Sequence, residues 1–539
     1  MTFDFSPGAQ IPITAAAPQT AATAALSSGA YRDTPFDDLA KLNENVTQKP
    51  GRFPWLAPDF GEAFCDAVLN RTTAVSRKPL VRSFGIDPRI VVEHCLEAQA
   101  LRKQRDKRLT VVALIFGLLF LPGTLLWLGA FEFRRRTNGK QSAYGAAALV
   151  LVALIAALLI WHPFWNGFGG IYLRAMMIAP IVGWFIDERI CLVTARQLRT
   201  RCGELIAGGA VGPVVPSAVP IGPEDAKAEN LRKQLAALAA EQETNCLHEA
   251  GTRGILSLGQ SWGNWELAEQ LDPPQDVAEI RAFHPWDVIR KIEERLKLLT
   301  RSPLATGGMQ SIKVEHWMIQ DLGSGATEIK NPSGPEMDGS RMRLSAMAEA
   351  ANKQRIGASG PRHYLGAQFV LHEGQLIVTL LIYVSAAGQT LRVSVHGYAL
   401  GPLAKSFTGG PRSLEVKQPV QGKPWKETTK NLPMVKRTEV VRLAVRAPFT
   451  STPDILSWLG GTLKLPEPFG LRSAWATSPW GNRSYREDAM NASAPVLRAV
   501  HQATLEFLAE HDVETDRFKN RSLMLSAEIQ SAKPPKDDA

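Results

Sequence analysis

Cysteine is scarce, with five in 539 residues, at positions 65, 95, 191, 202 and 246. They are too few and too scattered for a disulfide framework, and no two stand at zinc-ligand spacing. Only Cys246 lies beyond residue 202, which is unremarkable in a reducing compartment. Nothing extreme marks the composition: 21% charged and 8% aromatic residues exclude a wholly disordered or collagen-like chain. Several catalytic motifs are missing. His248-Glu249 and His372-Glu373 begin a zincin helix, but Thr252 and Leu376 stand where the second imidazole belongs. There is no Gly-x-x-x-x-Gly-Lys-Ser/Thr loop to cradle phosphate, and no Gly-x-Gly-x-x-Gly run follows a strand pattern. The sequence therefore assigns no catalytic, cofactor-binding or metal-binding residue, and it implies no cofactor. The start, Met-Thr-Phe-Asp-Phe-Ser-Pro, lacks the basic region of a secretory signal. Residues 1–30 hold little apolar bulk and are expected to be disordered.

What is present is a block of long apolar runs. No charged residue occurs from Leu109 to Phe131, or from Gln141 to Leu173. Runs of about 18 or more such residues can cross a hydrocarbon core of about 30 Å. Three segments are read within a membrane block at 109–193: Leu109–Phe131, Ala143–Trp161, and the shorter Ile171–Ile186. Trp161, Phe164 and Trp165 suit a headgroup-level belt between the second and third. Arg102, Lys103, Arg105, Lys107 and Arg108 precede the first segment, and Arg134, Arg135, Arg136 and Lys140 follow it. Basic flanks favour the cytoplasmic side. One solution makes Leu109–Phe131 a helical hairpin turning at Pro122-Gly123, with the other two segments crossing. A second has two full spans and an interfacial third. The third solution has three full spans and places the termini on opposite sides. Two of these three place the large C-terminal part in the cytoplasm. Arg174 and Asp187-Glu188-Arg189 lie at the ends of the weak third segment, where snorkelling accounts for them.

The remainder reads as soluble. Residues 31–108 form a small cytoplasmic helical region, in which Asp87-Pro88 is a helix start with Asp as N-cap. Residues 203–223 are a Gly/Pro linker without charge from Leu205 onward. Residues 224–530 are expected to form an α+β domain with a mainly antiparallel sheet, followed by a tail at 531–539. Leu231, Leu235 and Leu238 mark one helix, and Trp286–Leu299 an amphipathic one. Ser311–Ile319 alternates as a strand. Gln368–His372, Leu376–Ser385 and Thr390–Leu400 are three strands separated by Glu373-Gly374 and Ala387-Gly388. Val440–Arg446 reads as a further strand, and Pro495–His511 as a helix capped by Ser493 or Asn491.

Two features invite a functional reading. His316, His363, His372 and His396 lie in or beside strands, and convergence of His316 with His396 would point to an enzyme. From Gly401 to Lys436, seven Lys/Arg face Glu415 and Glu427. Lys417, Lys423, Trp425, Lys426 and Lys430 are the candidate membrane-surface contacts, on anionic lipid headgroups or a protein partner. Aromatics are not interleaved at a stacking spacing, which argues against nucleic acid.

The apolar block, the linker, and Gly360-Pro-Arg-His-Tyr364, Tyr383-Val-Ser385 and Tyr398-Ala-Leu-Gly-Pro402 together resemble uncharacterised multi-pass membrane proteins of high-GC actinobacteria. The resemblance implies no activity. The expectation is an integral α-helical membrane block carrying a cytoplasmic α+β domain at the inner (plasma) membrane. Its role would be binding or scaffolding. The alternatives are a membrane-anchored enzyme acting through the C-terminal domain, and an oligomeric channel or transporter component.

Overall fold

The computed structural model describes residues 20–34, 46–74, 77–136, 142–162, 164, 167–209, 212–220, 222, 225–276, 278–299, 312–353, 360–410, 416–419, 429–432 and 435–516. The chain opens with α1 (Ala21–Ser28), β1 (Thr47–Pro50) and α2 (Phe60–Thr72). Helix α1 corrects the expectation of disorder to residue 30. Its residues Ala22 to Ser28 are buried, and Tyr31 just beyond is 0% exposed. Small side chains let this helix sit inside a core that larger ones would overfill.

Helix α3 (Pro88–Val112) starts where expected. The Asp87 carboxylate accepts from the Arg89 and Ile90 amides at 2.9 and 3.4 Å, and Pro88 occupies the first turn. The helix passes through a π-helical stretch, Ala113–Leu118, breaks, and resumes as α4 (Leu121–Arg136) at a bend of 106°. The direction change therefore falls at Leu119-Phe120 and not at Pro122-Gly123. Pro122 lies in the first turn of α4, where its missing amide removes no helical bond. Helix α5 (Ser142–Trp161) matches the second apolar segment. Helix α6 (Phe168–Ile206) is much longer than the expected Ile171–Ile186 and runs straight through Asp187-Glu188-Arg189. Among the described residues two helices, α5 and α6, are long and apolar enough to cross a membrane, or up to three spans if the bent pair counts as one.

After α7 (Ala226–Gln242) come β2 (Cys246–Glu249), β3 (Gln260–Gln270), α8 (Pro285–Leu299) and β4 (Ile312–Asp321). The hairpin β5 (Met337–Asp338) and β6 (Arg341–Met342) precedes α9 (Leu344–Lys353), then β7 (Arg362–Leu371), β8 (Leu376–Ala387) and β9 (Thr390–Leu400). The main sheet has the order β2-β4-β7-β8-β9-β3, antiparallel throughout except for β2 beside β4. The expected α+β domain with a mainly antiparallel sheet is therefore present. The last elements are the turn α10 (Lys405–Thr408), a hairpin of β10 (Val416–Pro419) and β11 (Thr429–Leu432), then α11 (Arg437–Arg446), α12 (Pro453–Gly460), β12 (Gly461–Lys464) and α13 (Arg483–Glu510).

Two elements of the C-terminal region also differ from expectation. Val440–Arg446 is part of helix α11. Val440, Leu443 and Ala447 share one core cluster, a spacing of three and four that only a helix brings to one side. The β-branched run favoured a strand locally, and packing overrode it. Helix α13 begins at Arg483, capped by Asn482, with Pro495 in its interior. One lost backbone rung is outweighed by burial of Val496, Leu497 and Val500 against the sheet.

Among the described residues three apolar clusters are the largest. One lies between a sheet face and α8 and α13, around Ile289, Ile292, Leu365, Val378, Val395 and Val496. The opposite face packs Trp317, Ile319, Ile377 and Leu381 against Phe84. The third joins α1, α2, α3, the end of α6 and α7 to Leu403, Phe407, Phe469, Leu471 and Trp475. Strand β1 also pairs with β12, Gln48 opposite Leu463. The chain around 400–475 therefore packs with the N-terminal helices, across the linker expected at 203–223, whose first residues to Ile206 belong instead to α6.

Candidate functional site

The sheet brings two of the four strand histidines together. In the β4–β7 register His363 lies opposite Met318 and His316 opposite Leu365, which makes the histidines diagonal neighbours on one face. His316 Nδ1 is 3.0 Å from His363 Nε2. His316 Nε2 is 3.3 Å from Glu293 Oε2 on α8. Lys297, one turn further on, donates to Glu293. The Trp286 ring covers both imidazoles at centroid distances of 5.0 and 5.3 Å. His363 is 1% exposed and its Nδ1 has no hydrogen-bond partner.

These contacts fix the protons. His316 Nε2 must carry hydrogen to face a carboxylate. Protonating His363 would place a second N–H at its buried, partnerless Nδ1, a costly arrangement. His363 is accordingly held down to about 3, first by burial and then by the charge His316 carries when protonated. Glu293 is held at about 2, chiefly by the hydrogen bond from His316, which together with Lys297 outweighs burial. The result is a hydrogen-bonded line Glu293–His316–His363 whose inner end is closed by packing. It holds a proton between Glu293 and His316, and it stitches α8 to the sheet.

The pH dependence follows in sign. An unfolded histidine titrates near about 6.5. Folded His363 binds fewer protons below that value, so its contribution is complete above pH 6.5 and declines as pH falls toward 3. Glu293 contributes fully above the unfolded value of about 4.3 and loses that share as pH falls toward 2. His363→Gln should therefore flatten the melting temperature–pH curve between pH 6.5 and 4. Parallel curves for mutant and wild type would show that the line has no such role.

The other histidines lie elsewhere. His396 is on β9, opposite Leu381 of the second core, with Tyr398 and Leu400 on its side of the strand. His316 shares its face with Ile312 and Val314 of the first core, so His316 and His396 are on opposite faces and do not converge. His372, with φ of 50°, meets Asp488 at 2.7 Å beside Tyr485. Among the described residues no group of three or more His, Cys, Asp or Glu could hold a metal ion. Of the candidate surface contacts, Lys417 lies on β10 opposite Asn431, and Lys430 on β11 opposite Gln418. Lys423, Trp425 and Lys426 fall outside the described residues.

One motif escaped the sequence reading: Gly259-Gln-Ser261-Trp-Gly263 has the Gly-x-Ser-x-Gly form. Ser261 enters the edge strand β3 opposite Tyr398, with a bulge before Gly263. A nucleophile elbow requires a strand-to-helix turn, and here a strand follows. Sequence reasoning also missed the buried ion pairs that anchor α11. Arg446 Nη1 donates to Glu62 Oε2 at 2.6 Å, and Arg442 pairs with Asp59 and Glu439. Burial works to raise the Asp59 carboxyl, but Arg442, Arg105, Arg102 and Arg446 hold it below its usual range. The signal was the Arg442/Arg446 spacing of four, which fits one helix side as readily as one strand face.

No curated protein and no solved structure matches this chain. Residues 264–532, which carry α8, most of the main sheet, α11 and α13, match the family model of the AbeC-like domain.

Proposed function

We propose that this is an integral membrane protein whose α+β domain works as a binding or scaffolding module held at the cytoplasmic face of the inner (plasma) membrane. The observation that carries the reading is the outward face of α5. Val150, Leu151, Leu154 and Leu158 are each more than half exposed, and the helix has no charged residue to offer water. Each such side chain favours an apolar medium by about 1.5–3 kcal/mol. Helix α6 supports the same reading. At about 1.5 Å per residue its 39 residues far exceed a bilayer core. Its end, with Leu198, Cys202 and Leu205, belongs to the third core. The bend after α3 supports a re-entrant first segment, with α5 and α6 crossing and both basic flanks inside. The basic segment with Lys417, Lys423, Trp425, Lys426 and Lys430 would then lie beside an anionic leaflet or a protein partner, each lysine contributing about 1 kcal/mol near a lipid surface.

All five native cysteines are buried, which makes cysteine labelling informative. Gln141→Cys should resist an impermeant maleimide on intact cells and react after permeabilisation, whereas Asn166→Cys should react on intact cells. The chain should also stay with membranes in alkaline carbonate. Release by carbonate would end the membrane reading, and labelling of Gln141→Cys on intact cells would end the proposed orientation. A membrane-anchored enzyme is the second reading, favoured by the Glu293–His316–His363 line.

A further inference from the structure

An apolar cavity of about 630 Å³ lies between the bent pair α3–α4, helix α6 and helix α11. That size falls within the usual range of small-molecule sites. Phe116, Leu125 and Trp127 form one side, and Val441 and Val445 of α11 another. Asp187 is the only ionisable residue in its lining. Asp187 is 7% exposed, and its Oδ1 has no hydrogen-bond partner among the described residues. Trp184, almost one turn earlier on α6, also lines the cavity, and its Nε1 is unpartnered. Arg437 sits over the Trp184 ring at 5.6 Å rather than on the carboxylate.

A buried carboxylate without a cation or a hydrogen-bond donor is a costly arrangement, and the wall around it is hydrocarbon. A ligand that brings a donor, and preferably a positive charge, on a long apolar body would satisfy Asp187 and fill the apolar wall around it. We propose that this cavity binds a single-chain amphiphile with an amine head, its ammonium pairing with Asp187 and its chain filling the space between α4, α6 and α11. A head that also carries an oxygen would accept from the Trp184 indole. This proposal rests on the membrane reading, because the bent pair and α6 that wall the cavity belong to the apolar block. It goes beyond that reading in assigning a ligand to the junction of the membrane helices with α11.

Trp127 and Trp184 make the cavity its own reporter. Full-length protein in mild detergent is titrated with dibrominated octadecylamine, octadecanol and octadecanoate, and tryptophan quenching is followed. The amine should quench saturably, with the carboxylate weaker by about tenfold or more, the scale of one buried charge-assisted hydrogen bond. Asp187→Asn should weaken the amine by about tenfold and leave the alcohol unchanged. Val445→Trp, which fills the cavity from α11, should remove saturable quenching by all three. Equal or non-saturable quenching by the three heads in the unaltered protein overturns the proposal, as does undiminished amine preference in Asp187→Asn. The head-group series on the unaltered protein decides the matter even if Asp187→Asn fails to fold. Carbonate resistance separates the two readings: a protein that stays in the membrane but shows no head-group preference loses only this proposal.

Discussion

Replacing Arg446 by alanine should destabilise the protein by about 3–5 kcal/mol, among the largest single-residue effects in the chain. Arg446 is 3% exposed and Glu62 8%. The guanidinium donates to Glu62 at 2.6 Å and to the Leu56 carbonyl at 3.1 Å. Removing it strands a carboxylate among Asp66 and Asp106, whose own carboxyls burial already pushes up, Asp66 to about 6. The loss comes from leaving Glu62 buried without its hydrogen-bonded partner, with only the more distant charges of Arg105 and Arg442 to offset it, which costs more than the pair itself contributes. A double mutant, Glu62→Leu with Arg446→Met, should therefore recover most of the stability that Arg446→Ala loses. Arg446→Lys should fall between, because it keeps the charge and loses the fork that reaches Glu62 and Leu56 together. Thermal melts of the full-length protein in one detergent test all three. A double mutant less stable than Arg446→Ala would show that packing around the guanidinium, not charge, holds α11.

The elements that were legible share one trait: their local pattern and their final environment agree. Helix α5 is apolar all round, and its outward face with Val150, Leu151, Leu154 and Leu158 stays exposed. Strands β7, β8 and β9 carry β-branched residues between Gly-containing turns, and each pairs with its neighbour in sequence. Helix α3 announced itself through Asp87-Pro88. The misread elements owe their form to distant partners. Helix α11 reads as a strand by its valines, and it is helical because α2, α3 and α6 surround it with carboxylates and apolar side chains. Strand β3 mixes Trp262 and Trp265 with Gly263, Asn264 and Glu266, and it is a strand because β9 holds its entire length. Helix α1 is rich in small residues and looks disordered, but it is enclosed by residues as far away as Phe407. For the candidate site, the residue types were visible and the partners were not. His316 and His363 were both in view, and their meeting depended on a strand register that no single segment encodes.

The same distant packing predicts the outcome of cutting the chain at the Gly/Pro linker. By sequence pattern alone, a fragment of residues 224–539, with apolar helix faces, three clear strands and no long apolar run, is expected to fold without the membrane block, and it does hold the complete six-stranded sheet with α8 and α13. The third core changes that expectation. Phe407 and Trp475 are 0% exposed; Phe407 packs on Phe60 and Phe64 of α2 at ring-centroid distances of 5.5 Å, and Trp475 on Phe64 at 5.4 Å. Leu403, Phe469 and Leu471 belong to the same core. Without residues 20–108 these five side chains lose their cover, at about 1.5–3 kcal/mol each. The sum matches the whole 5–15 kcal/mol by which a folded domain is ordinarily stable. Strand β12 would also lose β1, leaving an open edge, and Arg442 and Arg446 would lose Asp59 and Glu62. The fragment alone should therefore aggregate, or stay soluble without a cooperative melt, while co-expression with residues 1–223 should recover it as a complex. A monomeric fragment with a single sharp melting transition would show that the sheet domain is self-sufficient and that the 400–475 region is only an adaptor laid over the N-terminal helices.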